Sequence, residues 1–221
     1  MSATPERFAI NIGRQLGSGG SAIGKILAHR LGIGYFDREI LEIAAQESGM
    51  RPEFFRERDE KKGFLHTFFH SVIPFAVSAT EFYGNQISEE ALFKIQSEAI
   101  RTILSQQSAV FIGRCADYVL REHPDCLNIF VTANRSDRIK AIARTYGIDT
   151  HTALRKLDQG DNSRADYYNF YTSGAWGEAS NYHLCINASV LGIEQTADFL
   201  YRYICQRFAI APLTASTPIT P

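Results

Sequence analysis

The 221-residue chain predicts an α/β fold built on a mostly parallel sheet. Three observations predict it. Short apolar runs alternate with segments of helical periodicity. The first run, Phe8 to Ile12, passes through a glycine-rich loop into an amphipathic helix. Three loops, Gly13–Gly20, Asp37–Arg38 and Gly113–Arg114, each follow a strand-like run. Parallel sheets bind ligands outside the carboxyl ends of their strands, so these loops converge on one edge.

Residues 1–7 read as a loose start. Phe8 to Ile12 is a buried strand, and a helix begins near Ser21 with Ile23, Ile26, Leu27 and Leu31 on one face. Tyr35-Phe36 form a short second strand ending at Asp37. Glu39 to Gln46 reads as a helix through Ile40, Leu41, Ile43 and Ala44. Arg51 to Lys62 is charged. Phe64 to Tyr83 is strongly aromatic, which suits helical core packing, a substrate-side wall or a dimer surface. Leu92, Ile95, Ala99, Ile100 and Ile103 mark a long helix over Glu89–Leu104. Ala109–Ile112 and Leu127–Val131 are buried strands. Asn134 with Asp137 resembles a capped start for a helix reaching about Tyr146. Leu184–Ile186 is a last strand. Ile193–Phe208 is a last helix, with Ala197, Leu200, Ile204 and Phe208 on one face. Pro212–Pro221 is a Pro/Thr/Ser/Ala tail expected to be disordered.

Bulk properties narrow the function. A chain 45% hydrophobic and 21% charged can bury one sizeable core. The net charge of −1 gives no global basic field for nucleic acid. Cys115, Cys126, Cys185 and Cys205 lack CxxC spacing and read as buried thiols of a cytosolic protein. The start, MSATPER, has no apolar signal core, and the longest apolar stretch is broken by His66, His70, Pro74 and Glu81. A soluble, cytoplasmic chain without a membrane span is expected. The six histidines form no ligand-spaced set.

The glycine loop admits three registers. A modified P-loop puts Arg14 at the first glycine of GxxxxGK[ST], Gly19 at the second, Gly20 at the lysine, and Ser21 and Ala22 after it. The backbone cradle survives, but its point charge must come from Arg14 or from an arginine elsewhere. A register through Gly19 and Gly24-Lys25 fails, because Ile26 follows and the helix would unwind at Ile23. Lys25 is then a solvated helix residue. A dinucleotide fingerprint fits Gly17, Gly19 and Ala22, with Asp37 twenty residues after Gly17. Against it, Gly13 to Leu16 is more slack than that turn allows.

IGRQLGSGG near the start, IGRCADYVL at Ile112–Leu120, DNSRADYYNFYTSGAWG at Asp161–Gly177 and the closing YHLCINASVLGIE resemble the cytidylate-kinase-like proteins. These are relatives of P-loop nucleoside monophosphate kinases. The resemblance spans about Ile10 to Tyr203. It implies a three-layer P-loop NTPase-type core with a parallel sheet, a helical insert at about 51–88 and a mobile lid at about 150–180. All would lie in one domain over 8–208, with flexible termini at 1–7 and 209–221. It implies that Gly17, Ser18, Gly19, Gly20 and Ser21 wrap the donor phosphates. Asp37 and Arg38 fall where acceptor binding begins. Arg114 grips the acceptor side; true cytidylate kinases follow this arginine with Asp, where this chain has Cys115 and then Asp117. By the same resemblance Arg138 would face the donor phosphates. Asp161 and Arg164 match the lid, with Asn162 where relatives carry Lys.

Phosphoryl transfer rewards such arginines, since it needs positioning and charge neutralisation more than covalent chemistry. Guanidinium stays charged and binds phosphate in a bidentate fork. The leading expectation is an ATP-dependent kinase acting on a small phosphorylated acceptor. Mg²⁺ would bridge the donor phosphates with help from Ser21 or Ser18, and Arg14, Arg114, Arg138 and Arg164 would act on the transferred group. Arg138 suits a helix-surface salt bridge equally well. Tyr167, Tyr168, Tyr171 and Trp176 near Arg164 suit a ligand wall or a structural cover. Arg144 and Arg155 read as surface charge. A nucleotide-binding protein without turnover is the rival reading, and a dinucleotide oxidoreductase comes third. A homodimer through the aromatic segment is possible.

Overall fold

The computed structural model describes residues 5–37 and 89–211. The expected helix at 39–46, Arg38, the aromatic segment at 64–83, most of the expected insert, His66, His70 and the tail from Pro212 lie outside the described residues.

Five parallel strands form the sheet, in the order β2-β3-β1-β4-β5. They are β1 (Ala9–Arg14), β2 (Gly34–Phe36), β3 (Ala109–Ile112), β4 (Cys126–Thr132) and β5 (Leu184–Asn187). The helices are α1 (Gly20–Leu31), α2 (Glu89–Gln106), α3 (Ala116–Val119), α4 (Arg135–Tyr146), α5 (Thr150–Thr172) and α6 (Gly192–Arg207). The layers follow from strand alternation. Ile10 and Ile12 point to one face, where Ile23 and Leu27 of α1 meet Leu200 and Ile204 of α6. Ala9 points to the other, where Ala99, Ile100 and Ile103 of α2 pack with Ala116 and Val119 of α3. This is the expected three-layer core. Among the described residues, no helix is long and apolar enough to cross a membrane.

Three features of the fold bear on the site. β1 runs two residues past Ile12, because Gly13 and Arg14 pair with Phe130 and Val131 of the longer β4. Arg14 is therefore the last strand residue, and the loop begins after it. The segment expected as a lid is a continuous 23-residue helix, α5, packed against α4. Ile142, Ala153 and Leu157 form a small core there, which Leu16 joins. Asn134 does stand at the N-cap position of α4, but it makes no side-chain cap. Its Oδ1 instead accepts from Asn187 Nδ2 at 3.0 Å, tying α4 to β5.

The strand order also bears on the dinucleotide reading. That fold runs 3-2-1-4-5-6, with β2 beside β1. Here β3 lies between them, which moves Asp37 one strand further from the glycine loop.

Cys115, Cys126 and Cys205 are buried free thiols as expected, whereas Cys185 is exposed on the sheet's edge strand.

Candidate active site

Two cavities open beyond the carboxyl ends of the strands, of about 600 and about 580 Å³. Arg14, Leu16, Tyr146 and Arg164 line both and form the seam between them.

The smaller cavity is bounded by the glycine loop. Gly17 and Gly19 take φ values of +77° and +84°, in the left-handed region that side chains disfavour. They bend the chain so that the first turn of α1, with its unpaired N–H groups, opens onto the cavity. Ser18 is buried, and its Oγ accepts from Gly20 N–H at 3.4 Å. Ser21 lines the cavity and stands beside Tyr35, whose hydroxyl donates to the Ser21 carbonyl at 3.4 Å. Burial and the charge of Asp37 push the Tyr35 phenol up to about 12. Arg144 stands at the rim of this cavity and is exposed, in keeping with its reading as surface charge.

Gly20 stands where the P-loop lysine would be, and the structure gives a reason. A Cβ there would sit 2.6 Å from Arg14 Cβ and 3.3 Å from Val131 Cβ. The Arg14 side chain rises from the end of β1 through that space. Its guanidinium then passes over Gly113, where a Cβ would overlap Nη1. Burial, then the nearby charges of Arg164 and Arg114, pull the Arg14 guanidinium down to about 10, partly opposed by Tyr35 and Asp37. A desolvated cation among cations is costly, and an anion relieves it.

The larger cavity is made of side chains. Gly113, Arg114 and Cys115 all take left-handed φ, of +69°, +58° and +54°. The two non-glycine residues each cost about 1–3 kcal/mol there, a kind of strain that clusters at ligand sites. This turn carries Arg114 from the buried β3 to the cavity, where its guanidinium lies 5.0 Å from the centre of the Tyr167 ring. The Tyr167 hydroxyl donates to Gln96 Oε1 at 3.2 Å, and burial pushes its phenol up to about 12. Asp117, Tyr168, Trp176 and Tyr182 also line it. The Tyr168 hydroxyl donates to Asp117 Oδ2 at 2.8 Å. Burial raises the Asp117 carboxyl above its ordinary range, against the hydrogen bonds it accepts. Asn11, buried in β1, donates to Asn128 Oδ1 at 2.9 Å, while its own Oδ1 lacks a partner. The larger cavity thus carries both cations, Arg14, Arg114, Lys156 and Arg164, and oxygen acceptors, Asn11, Glu89 and Asp117.

Of the expected site residues, Arg14, Gly17, Ser18, Gly19, Gly20, Ser21, Arg114, Asp117 and Arg164 are brought to these cavities. Asp37 lines neither, but its charge acts on Arg14 and Tyr35. Arg138 is not brought to either cavity. It is buried, with Nε donating to the Leu16 carbonyl at 2.9 Å and Nη2 paired with Asp161 Oδ2. Asn162 is exposed and lines neither cavity. Lys156 was missed: it lines the larger cavity on the α5 face that also carries Gly160, Ser163, Arg164 and Tyr167. That face follows helical spacing, a signal usable only once residues 150–172 are seen as one helix. Among the described residues, no cluster of three or more His, Cys, Asp or Glu could hold a metal by itself.

No protein of curated function matches the sequence. The structure of an uncharacterized protein from Eubacterium ventriosum ATCC 27560 is similar, with a TM-score of 0.67 and 24% identity. The match covers 90% of this chain and 98% of that one. Shikimate kinase from Acinetobacter baumannii, solved in complex with shikimate, matches at 13% identity and a TM-score of 0.49, covering 91% of this chain and 94% of that one. The family model for the cytidylate kinase-like family matches residues 9–190, and the chain belongs to that family.

Proposed function

We propose that the protein is a phosphotransferase moving the terminal phosphoryl group of ATP onto a small phosphorylated acceptor. One observation carries this reading. Arg14 lies at the seam of two cavities, in electrostatic reach of Arg114 and Arg164, and its side chain crosses the space a P-loop lysine would take. A cation at the boundary between donor and acceptor suits the charge that spreads over a transferred phosphoryl group. The donor phosphates would lie on the first-turn amides of α1. An acceptor phosphate oxygen would attack the γ-phosphorus, and the bond to the bridging oxygen would break to release ADP. No general base is needed, because the attacking oxygen is already anionic.

Mg²⁺ fits as a guest of the donor phosphates rather than of a protein cage. The chain offers it the Ser21 hydroxyl at the cavity wall, and Mg²⁺ accepts one protein ligand beside phosphates and waters. When bound, it neutralises donor charge. The family likeness suggests a nucleoside monophosphate, with CMP the first to try. The soluble, cytoplasmic location belongs to the same proposal.

The test is ADP production by purified protein with ATP and Mg²⁺ across CMP, dCMP, UMP, AMP and GMP. The Arg114→Ala variant serves as control. Turnover with one monophosphate, reduced about 100-fold or more in the variant, is expected. Full activity in Arg114→Ala sinks the acceptor assignment. The absence of a lysine at position 20 favours one other reading, a nucleotide-binding protein without catalysis. ATP binding with no turnover on any acceptor would support it.

A further inference from the structure

We infer that Arg138 and Asp161 are a positioning pair that fixes the phosphate loop through the backbone of Leu16, and do not themselves hold phosphate. The geometry is a closed ring. Leu16 N–H donates to Asp161 Oδ1 at 2.7 Å. The Leu16 carbonyl accepts from Arg138 Nε at 2.9 Å. Arg138 Nη2 and Asp161 Oδ2 pair to complete it. Both polar groups of one loop residue are thus held by side chains from two different helices. The pair is shielded, with side-chain exposures of 5% for Arg138 and 15% for Asp161. Charged hydrogen bonds are strongest where water is excluded.

The surrounding packing reinforces the ring. The Leu16 side chain lies against Gly160, where a Cβ would approach its Cδ2 to 2.6 Å. One residue on, a Cβ on Gly17 would meet the Arg138 carbonyl at 2.7 Å. The loop's entrance is therefore joined to α4 and α5 on its side-chain and main-chain surfaces alike. A guanidinium so occupied leaves Arg14 and Arg164 as the cations on the seam. A further consequence is that the base of the α4–α5 hairpin is fixed to the loop. Any closing motion of the hairpin must then move the loop with it or occur farther along α5.

The sign of one substitution separates positioning from ligation. Asp161 is an acid close to the phosphate loop. If the pair acts only as local charge, Arg138→Ala weakens ATP binding and Asp161→Ala tightens it. If the pair positions the loop, both weaken binding, by about tenfold each, and the double variant is no weaker than the worse single one. Calorimetric titration with ATP and Mg²⁺ measures this. Amide hydrogen exchange of residues 15–20 in nucleotide-free protein supplies the independent readout. Both single variants are expected to exchange faster there, with protection in β3 and β4 unchanged. Unchanged loop exchange, or tighter ATP binding in Asp161→Ala, overturns the inference. Should Asp161→Ala fail to fold, Asp161→Asn keeps an acceptor for the Leu16 amide and predicts the same directions at smaller size. The binding arm rests on the proposed function, whereas the exchange arm does not. If the unaltered protein binds no ATP, the donor assignment fails and loop exchange still decides the role of the pair.

Discussion

The smaller cavity is framed by the glycine loop and the start of α1, whereas the larger one is framed by side chains from several strands and helices. The glycine loop and the first turn of α1 need only small residues and a left-handed bend at Gly17 and Gly19. The larger cavity draws on β1, β3, α2, α5 and the segment before β5, with aromatic rings and single charges. A main-chain site recognises what every nucleotide donor shares, its phosphates. A side-chain site can be respecified one residue at a time. Arg14 belongs to both, and the sharpest way to break the division is to remove it. Arg14→Ala is expected to lower phosphoryl transfer by about 100-fold or more. ATP affinity should fall much less, since the amide cradle remains. Steady-state kinetics beside calorimetry would show the split. An equal loss in both would place Arg14 in the donor cradle alone.

The two cavities were not equally legible in the sequence. The donor side was, because glycines in a short loop between a strand and a helix form a local pattern. Four of the five strands were also readable as apolar runs, and the fifth, Tyr35-Phe36, from its position. The larger cavity combines residues from Asn11 to Tyr182, and only tertiary structure assembles them. Arg138 shows why residue type alone misleads. An arginine opening a helix near a phosphate loop suits a ligand, yet burial beside Asp161 commits it to Leu16. Lys156 shows the converse, a cavity-lining position in a long helix that nothing local in the sequence marks out. The loop pattern shows a charge missing at Gly20, to come from Arg14 or another arginine; the structure places the Arg14 side chain against Gly20 with its guanidinium over Gly113.

Gly113 tests whether that arrival depends on the neighbouring loop. A side chain there would meet the Arg14 guanidinium and hold an unfavourable φ of +69°. Gly113→Ala is expected to cost about 1–2 kcal/mol from backbone conformation. For a chain of this size that lowers Tm by about 2–8 °C. The displaced Arg14 should also reduce turnover beyond what this loss of stability explains. Normal kinetics in a destabilised Gly113→Ala would show that Arg14 reaches its place by another route.

The smallest expected effect sits at Asp117 in the larger cavity, and it is read against pH. Burial raises the Asp117 carboxyl above its ordinary value of 3.8. The folded chain then holds that proton more tightly than the unfolded chain does. The stability this contributes is present below the ordinary value and is lost as pH rises through the raised one. Asp117→Asn removes the titration and can still accept the Tyr168 hydroxyl through Oδ1. Thermal melts at several pH values between about 4 and 7 should therefore show the variant gaining on the unaltered protein as pH rises. Parallel curves would mean that the bonds Asp117 accepts from Tyr168 and from backbone amides fully offset its desolvation. The acceptor screen adds a second reading of the same residue. Its carboxylate accepts hydrogen bonds in the larger cavity, so an acceptor carrying donors toward it should be favoured. Asp117→Asn, which adds an N–H₂ donor, should narrow that preference without abolishing turnover.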